Sequence, residues 1–99
     1  MSRKVVFRSS AERDLAEAWK WYEEREAGLG ARFLDSVEMC LKRISERPEG
    51  YPIASGEVRR ALVGKFPYAV YFRMRGEHVR VLAVLHHRRG PRTLTARLR

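Results

Sequence analysis

The sequence has almost no cysteine, no long apolar run and hardly any acid in its second half, and each shortage closes off a class of protein. Among 99 residues there is one cysteine, so Cys40 has no internal disulfide partner and no second thiol for a zinc site. It falls between Val37, Leu41 and Ile44, where a small buried apolar side chain is expected, not a reactive thiol. No apolar stretch approaches the roughly 20 residues that span a bilayer. Met1-Ser2-Arg3-Lys4 leads into only Val5, Val6 and Phe7, too few for a signal-peptide core. The expectation is a cytoplasmic protein without a membrane. The histidines, His78, His86 and His87, lack the carboxylate and thiol company of a metal cluster, so neither metal nor cofactor is expected. Nothing repeats, and no segment is low in complexity.

What is present is an uneven charge. Hydrophobic residues make up 44% and charged residues 33%, which fits a folded globule, and the length suits one domain over residues 1–99. Residues 1–55 hold ten basic and ten acidic residues and net to zero. Residues 56–99 hold eleven basic residues against Glu57 and Glu77. The whole excess of +9 therefore sits in the second half, and ten of its eleven cations are arginine. Arginine offers a planar fork of donors suited to phosphate or carboxylate, and a one-sided positive field attracts nucleic acid or an acidic protein. The plainer alternative is that the excess only keeps the protein soluble.

Periodicity orders the chain. Lys4-Val5-Val6-Phe7-Arg8 reads as a strand. Ser9 and Ser10 are placed to cap a helix, with Glu12 and Asp14 near its positive end. Ala11, Leu15, Ala18, Trp19 and Tyr22 draw one stripe, so Trp19 and Tyr22 read as core while Trp21 falls off the stripe, exposed at an interface. Gly28 and Gly30 break the pattern. A second helix is expected over 31–47, with Phe33, Val37, Cys40, Leu41 and Ile44 inward, ended by Pro48, Gly50 and Pro52 in a loop. The short connection implies an antiparallel hairpin. Strands follow over 58–63, 68–74 and 78–85, the last two joined by Arg75-Gly76-Glu77. The last strand is apolar on both faces and so should be interior. The predicted architecture is α+β, in the order β-α-α-β-β-β, with the helical hairpin on one face of a mainly antiparallel sheet.

The run Arg60-Ala61-Leu62-Val63-Gly64-Lys65-Phe66-Pro67-Tyr68-Ala69-Val70-Tyr71-Phe72 resembles the ParE/RelE toxin superfamily. So does Val81-Leu82-Ala83-Val84-Leu85-His86-His87-Arg88-Arg89-Gly90-Pro91. In that superfamily an arginine precedes a Phe-Pro-Tyr-x-Val-Tyr-Tyr strand, and the next strand ends in His-x-Arg-Arg/Asp-x-Pro. Phe72 departs from the second tyrosine of that pattern, and Leu94 stands where a tryptophan is common. The resemblance implies the toxin of a type II toxin–antitoxin pair, forming a hetero-oligomer with an acidic antitoxin that folds on binding. Its target would be DNA gyrase in the ParE branch, or the ribosome and its mRNA in the RelE branch.

Metal-free RNA cleavage needs a base, an acid and cations for the phosphorane. The candidates for such chemistry are His86, Arg60 and Arg88, with Arg59 and Arg92 as further phosphate clamps. The wider candidate set for target or phosphate binding is Arg59, Arg60, Arg73, Arg80, His86, His87, Arg88, Arg89, Arg92 and Arg97. By strand alternation His86 shares a face with Arg80, Leu82 and Val84. The bland reading of His86 is a strand-end histidine satisfying a backbone carbonyl. Tyr68, Tyr71 and Phe72 interleave with Arg73 and Arg75 as a base-stacking strand would, although core is the stronger reading. The resemblance also implies that RelE-type nucleases use a tyrosine near the C-terminus, and this chain has none after Tyr71. Nor does it end in the His-Tyr pair of related nucleases. The ParE branch, which binds instead of cutting, needs no such set and is favoured. A non-toxic nucleic-acid-binding module is the remaining alternative.

Overall fold

The computed structural model describes residues 2–98. Along the chain lie β1 (Val5–Phe7), α1 (Ser9–Arg25), α2 (Leu29–Glu46) and a 3-10 turn at Pro48–Gly50. Then come β2 (Ile53–Ser55), β3 (Val58–Leu62), β4 (Tyr68–Arg75), β5 (His78–His86) and α3 (Gly90–Arg97). The five strands form one sheet in the order β1-β5-β4-β3-β2. Only β1 runs parallel to its neighbour, Val5 to Phe7 pairing with Val79 to Val81. The fold is α+β, with a helical hairpin on one face of a mainly antiparallel sheet.

Helix α1 starts one residue earlier than a serine cap would allow. Arg8 is the N-cap, in extended geometry and without a side-chain bond, so Ser9 and Ser10 lie inside the first turn. The buried residues of α1 are Ala11, Asp14, Ala18 and Tyr22, spaced 3, 4 and 4. That face is rotated from the stripe expected on sequence. Trp19 consequently lies 39% exposed, a correction to its core reading. Trp21 is 49% exposed, as expected. The α2 stripe packs Phe33, Val37, Cys40 and Ile44 against Val70, Phe72, Val79, Val81 and Val84 of the sheet.

The hairpin connection is held by Glu23. Its carboxylate accepts the Gly28 N–H at 2.9 Å and the Gly30 N–H at 3.0 Å, so α1 supplies the cap for α2, which begins at Leu29 rather than Ala31. Gly30 sits under the Trp19 ring: a Cβ there would lie 2.8 Å from Cδ1 and Nε1 of Trp19. Only a glycine permits that approach.

Two elements lie outside the sequence reading. β2 replaces part of the expected loop as an edge strand of three exposed residues. α3 crosses the sheet face opposite the hairpin, and Leu94 joins Val58, Ala69, Tyr71, Leu82, Ala83 and Leu85 in a second apolar cluster. That second cover explains why β4 and β5 are apolar on both sides. Their turn is closed by Gly76, whose φ of 61° suits the first position of a type II′ hairpin.

A bulge re-phases β5. Tyr71 pairs with Ala83 but Phe72 pairs with Val81, leaving Leu82 without a partner. Val79, Val81 and Val84 face the hairpin, while Leu82, Ala83 and Leu85 face α3. Simple alternation therefore fails beyond Val81. His86 faces the hairpin side beside Tyr68, their rings 5.4 Å apart, and Arg80 and Leu82 lie on the opposite face from it.

Candidate functional site

The site grows from an unpaired strand edge. β1 covers β5 only as far as Val81, and an open edge exposes backbone groups that must be satisfied. The start of α1 and the end of α3 close it. Ser10 Oγ donates to the Leu82 carbonyl at 3.5 Å, and the Val84 N–H donates to Asp14 Oδ2 at 2.9 Å. Arg97 reaches around from α3, donating from Nη1 to Asp14 Oδ2 and from Nη2 to Oδ1, each at 2.6 Å. Nη1 also donates to the Leu82 carbonyl at 3.4 Å. This is a bidentate fork on a carboxylate. The Asp14 side chain is 7% exposed and that of Arg97 24%. The hydrogen bonds to Asp14 hold the Arg97 guanidinium above its usual range, outweighing burial, which lowers it.

Beyond this clasp a cleft of about 640 Å³ opens between α1 and the ends of β4 and β5. Glu17, Ala18, Trp21 and Tyr22 form one wall, and Pro67, Tyr68, His86, Arg88 and Arg89 the other. The floor is aromatic: Tyr22 packs on Phe33, Phe66 and Tyr68. Burial pushes the Tyr68 hydroxyl up from its ordinary value of 10.0, with the carboxylates of Asp14 and Glu17 acting the same way and Arg89 opposing. Tyr68 thus keeps its proton at neutral pH and offers both a donor and an acceptor. At the rim, Arg25 lies with its Cζ 3.7 Å from the centre of the Trp21 ring, which fixes an exposed indole by a cation–π contact. The cleft presents apolar surface flanked by an acidic wall and a basic wall, a shape suited to holding a peptide segment.

The candidate residues do not converge on one surface. His86 accepts the Arg88 N–H at Nδ1, 3.1 Å away, so it organises its own turn instead of satisfying a carbonyl, and only its Nε2 edge is free. Arg88 and Arg89 line the cleft, and His87 is exposed next to them. Arg60 pairs with Tyr71 and lies on the other face, in a shallow groove with Pro91, Leu94 and Thr95. The three candidates for nuclease chemistry, His86, Arg60 and Arg88, are thus split across the sheet. Arg59 donates to the Tyr51 carbonyl at 2.6 Å and pins the approach to β2. Arg92 is exposed on α3. Arg73 and Arg80 oppose each other on β4 and β5, and Arg97 is committed to Asp14. Asp14 and Glu23 were missed on sequence. An acid within the 3-4-4 spacing of Ala11, Asp14, Ala18 and Tyr22 was the available signal for Asp14.

Sheet, hairpin and closing helix define a small α+β domain with both faces of its sheet covered. The structure is similar to a chain of the "Chromosomal ParDE TA system from P. aeruginosa", with a TM-score of 0.76 and 15% identity, over 86% of this chain and 96% of that one. That likeness shows the shared fold. The family model described as "ParE toxin of type II toxin-antitoxin system, parDE" matches residues 5–91, and the chain belongs to this family. No curated protein matches it in sequence. Among the described residues there is no helix long and apolar enough to cross a membrane and no cluster of metal-ligating side chains.

Proposed function

We propose that this chain is a toxin that arrests growth by binding DNA gyrase without catalysing a reaction of its own, and that an acidic antitoxin neutralises it. Membership in the ParE toxin family carries this reading. The separation of His86 from Arg60 across the sheet supports it, because a nuclease would need its proton-transfer groups and phosphate clamps within hydrogen-bond reach of one phosphate. The decisive assay is DNA supercoiling by purified gyrase with increasing toxin. Supercoiling should fall, and unimpaired supercoiling at saturating protein removes gyrase as the target.

The antitoxin segment is proposed to occupy the cleft beside β5. Trp21 and Tyr68 offer apolar contact there, while Arg88 and Arg89 supply the charge that speeds association with an acidic chain. Charge reversal by Arg88→Glu with Arg89→Glu should lower the association rate with the antitoxin tenfold or more and flatten its salt dependence. An unchanged association rate would place the antitoxin elsewhere.

A further inference from the structure

One feature on the α3 face belongs to neither the cleft nor the clasp. Arg73 and Arg80 are register partners on β4 and β5, and like charges directly opposite each other on a sheet are unfavourable. Both side chains are half-buried, and the Nε of each is enclosed without a hydrogen-bond partner among the described residues. The three ion pairs among the described residues are Arg3–Glu49, Arg32–Glu26 and Arg97–Asp14, so none relieves this pair. The next register pair on the same face toward the turn, beyond Met74 with Val79, is Arg75 with His78, both exposed. Strand alternation puts all four side chains on one face. Glu57 and Glu77, the acids closest in sequence, are exposed and absent from those ion pairs.

A buried N–H without a partner is costly, and a charged one more so. Two adjacent guanidiniums present two donor forks, and each fork wants a pair of oxygens. A carboxylate has two oxygens and fills one fork in bidentate fashion. A phosphoryl group, with more oxygens and a tetrahedral spread, fits between two. We infer that Arg73 and Arg80 form a phosphoryl-binding site, occupied in the working complex by a backbone phosphate of a nucleic acid lying along the β4–β5 hairpin. Arg75 and His78 extend the path, one register step being two residues, or about 6.8 Å along a strand. This goes beyond the gyrase reading and stands without it, since it concerns the face opposite the antitoxin cleft.

The test uses the full chain. Thermal unfolding in inorganic phosphate is compared with sodium chloride at equal ionic strength. Phosphate should raise the midpoint above chloride for the wild type, and Arg73→Lys and Arg80→Lys should each abolish the difference while keeping the charge. A fluorescein-labelled single-stranded DNA 12-mer then reports binding by anisotropy. Affinity should drop about tenfold in each lysine variant, and in the Arg73→Gln/Arg80→Gln double variant the slope of log K against log salt should shrink by roughly 1.4, two contacts at about 0.7 each. Lys42→Gln, on the hairpin, serves as the charge control and should change neither readout. Equal stabilisation by chloride, or equal loss in the control, overturns the site. Stabilisation by succinate as strong as by phosphate, without DNA binding, would assign the pair to an acidic protein and overturn the nucleic-acid occupant. A failure of gyrase inhibition leaves both readouts untouched.

Discussion

Replacing Arg97 by methionine removes both guanidinium bonds to Asp14 and leaves a carboxylate that is 7% exposed with the Val84 N–H as its remaining partner. Breaking a buried ion pair from one side costs roughly 3–5 kcal/mol, because the surviving charge stays desolvated. Arg97 itself touches water, which places the expected loss at the lower end, about 3 kcal/mol. Asp14→Asn should be milder. The freed guanidinium turns to solvent and the amide oxygen can still accept from Val84, so the loss is about 1–2 kcal/mol. For a domain of this size each kcal/mol moves the melting midpoint by about 4–8 °C. Arg97→Met should therefore lower it by roughly 12–24 °C, and Asp14→Asn by clearly less. Chemical denaturation of both single variants and the double variant closes the cycle and isolates the pair. Because the contact is largely enclosed, about 0.5 M salt should shrink the effect only slightly. A loss below about 1 kcal/mol for Arg97→Met, or a larger loss for Asp14→Asn than for Arg97→Met, would refute the argument from burial.

Further outcomes follow from other sites. Gly30→Ala should destabilise by about 1–3 kcal/mol, read by denaturant titration, since its new methyl meets the Trp19 ring; Trp19→Leu in the same chain should recover part of the loss. Burial raises the hydroxyls of Tyr22 and Tyr68 above 10.0, so the folded state holds these protons more tightly than the unfolded one. Their contribution to stability is complete below pH 10 and falls as the pH rises beyond it. Tyr68→Phe should flatten that alkaline decline, and an unchanged profile would contradict the shift. Burial also raises the Cys40 thiol, against the opposing charge of Arg43, so a disulfide reagent at pH 8 should label it only as fast as the protein opens. Rapid labelling of the native protein would show the thiol to be accessible.

Much of the fold was legible because its signals are local. The α2 stripe, the Pro48–Pro52 break and the two-sided apolar character of Val79 to Leu85 each depend on residues close in sequence. What escaped depends on distant partners. α3 carries little apolar surface beyond Leu94, and eight residues do not make a stable helix alone; it exists because Tyr71, Leu82 and Leu85 need a cover. β2 offers Ile53 as its one strong strand former, and it forms by pairing with β3. On sequence alone Asp14 is a charge near a helix start, because its partner, Arg97, lies 83 positions away. The face of His86 departs from strand alternation for a different reason: the extra residue at Leu82 shifts the phase of β5, and nothing in the composition of the strand marks it. Of the candidate residues, Arg88 and Arg89 meet His86 at the cleft with His87 beside them, whereas Arg59, Arg60, Arg73 and Arg80 scatter because strands send successive side chains to opposite faces, and Arg92 and Arg97 ride on α3.

The parallel pairing of β1 with β5 also bears on how the chain is made. During synthesis the first strand and Asp14 emerge long before Val79, Val84 or Arg97 leaves the ribosome. A nascent chain thus carries an unmatched strand until Val79 to Val81 emerge and an unmatched carboxylate until Arg97 does, and the second apolar cluster lacks Leu94 as its lid for much of the same interval.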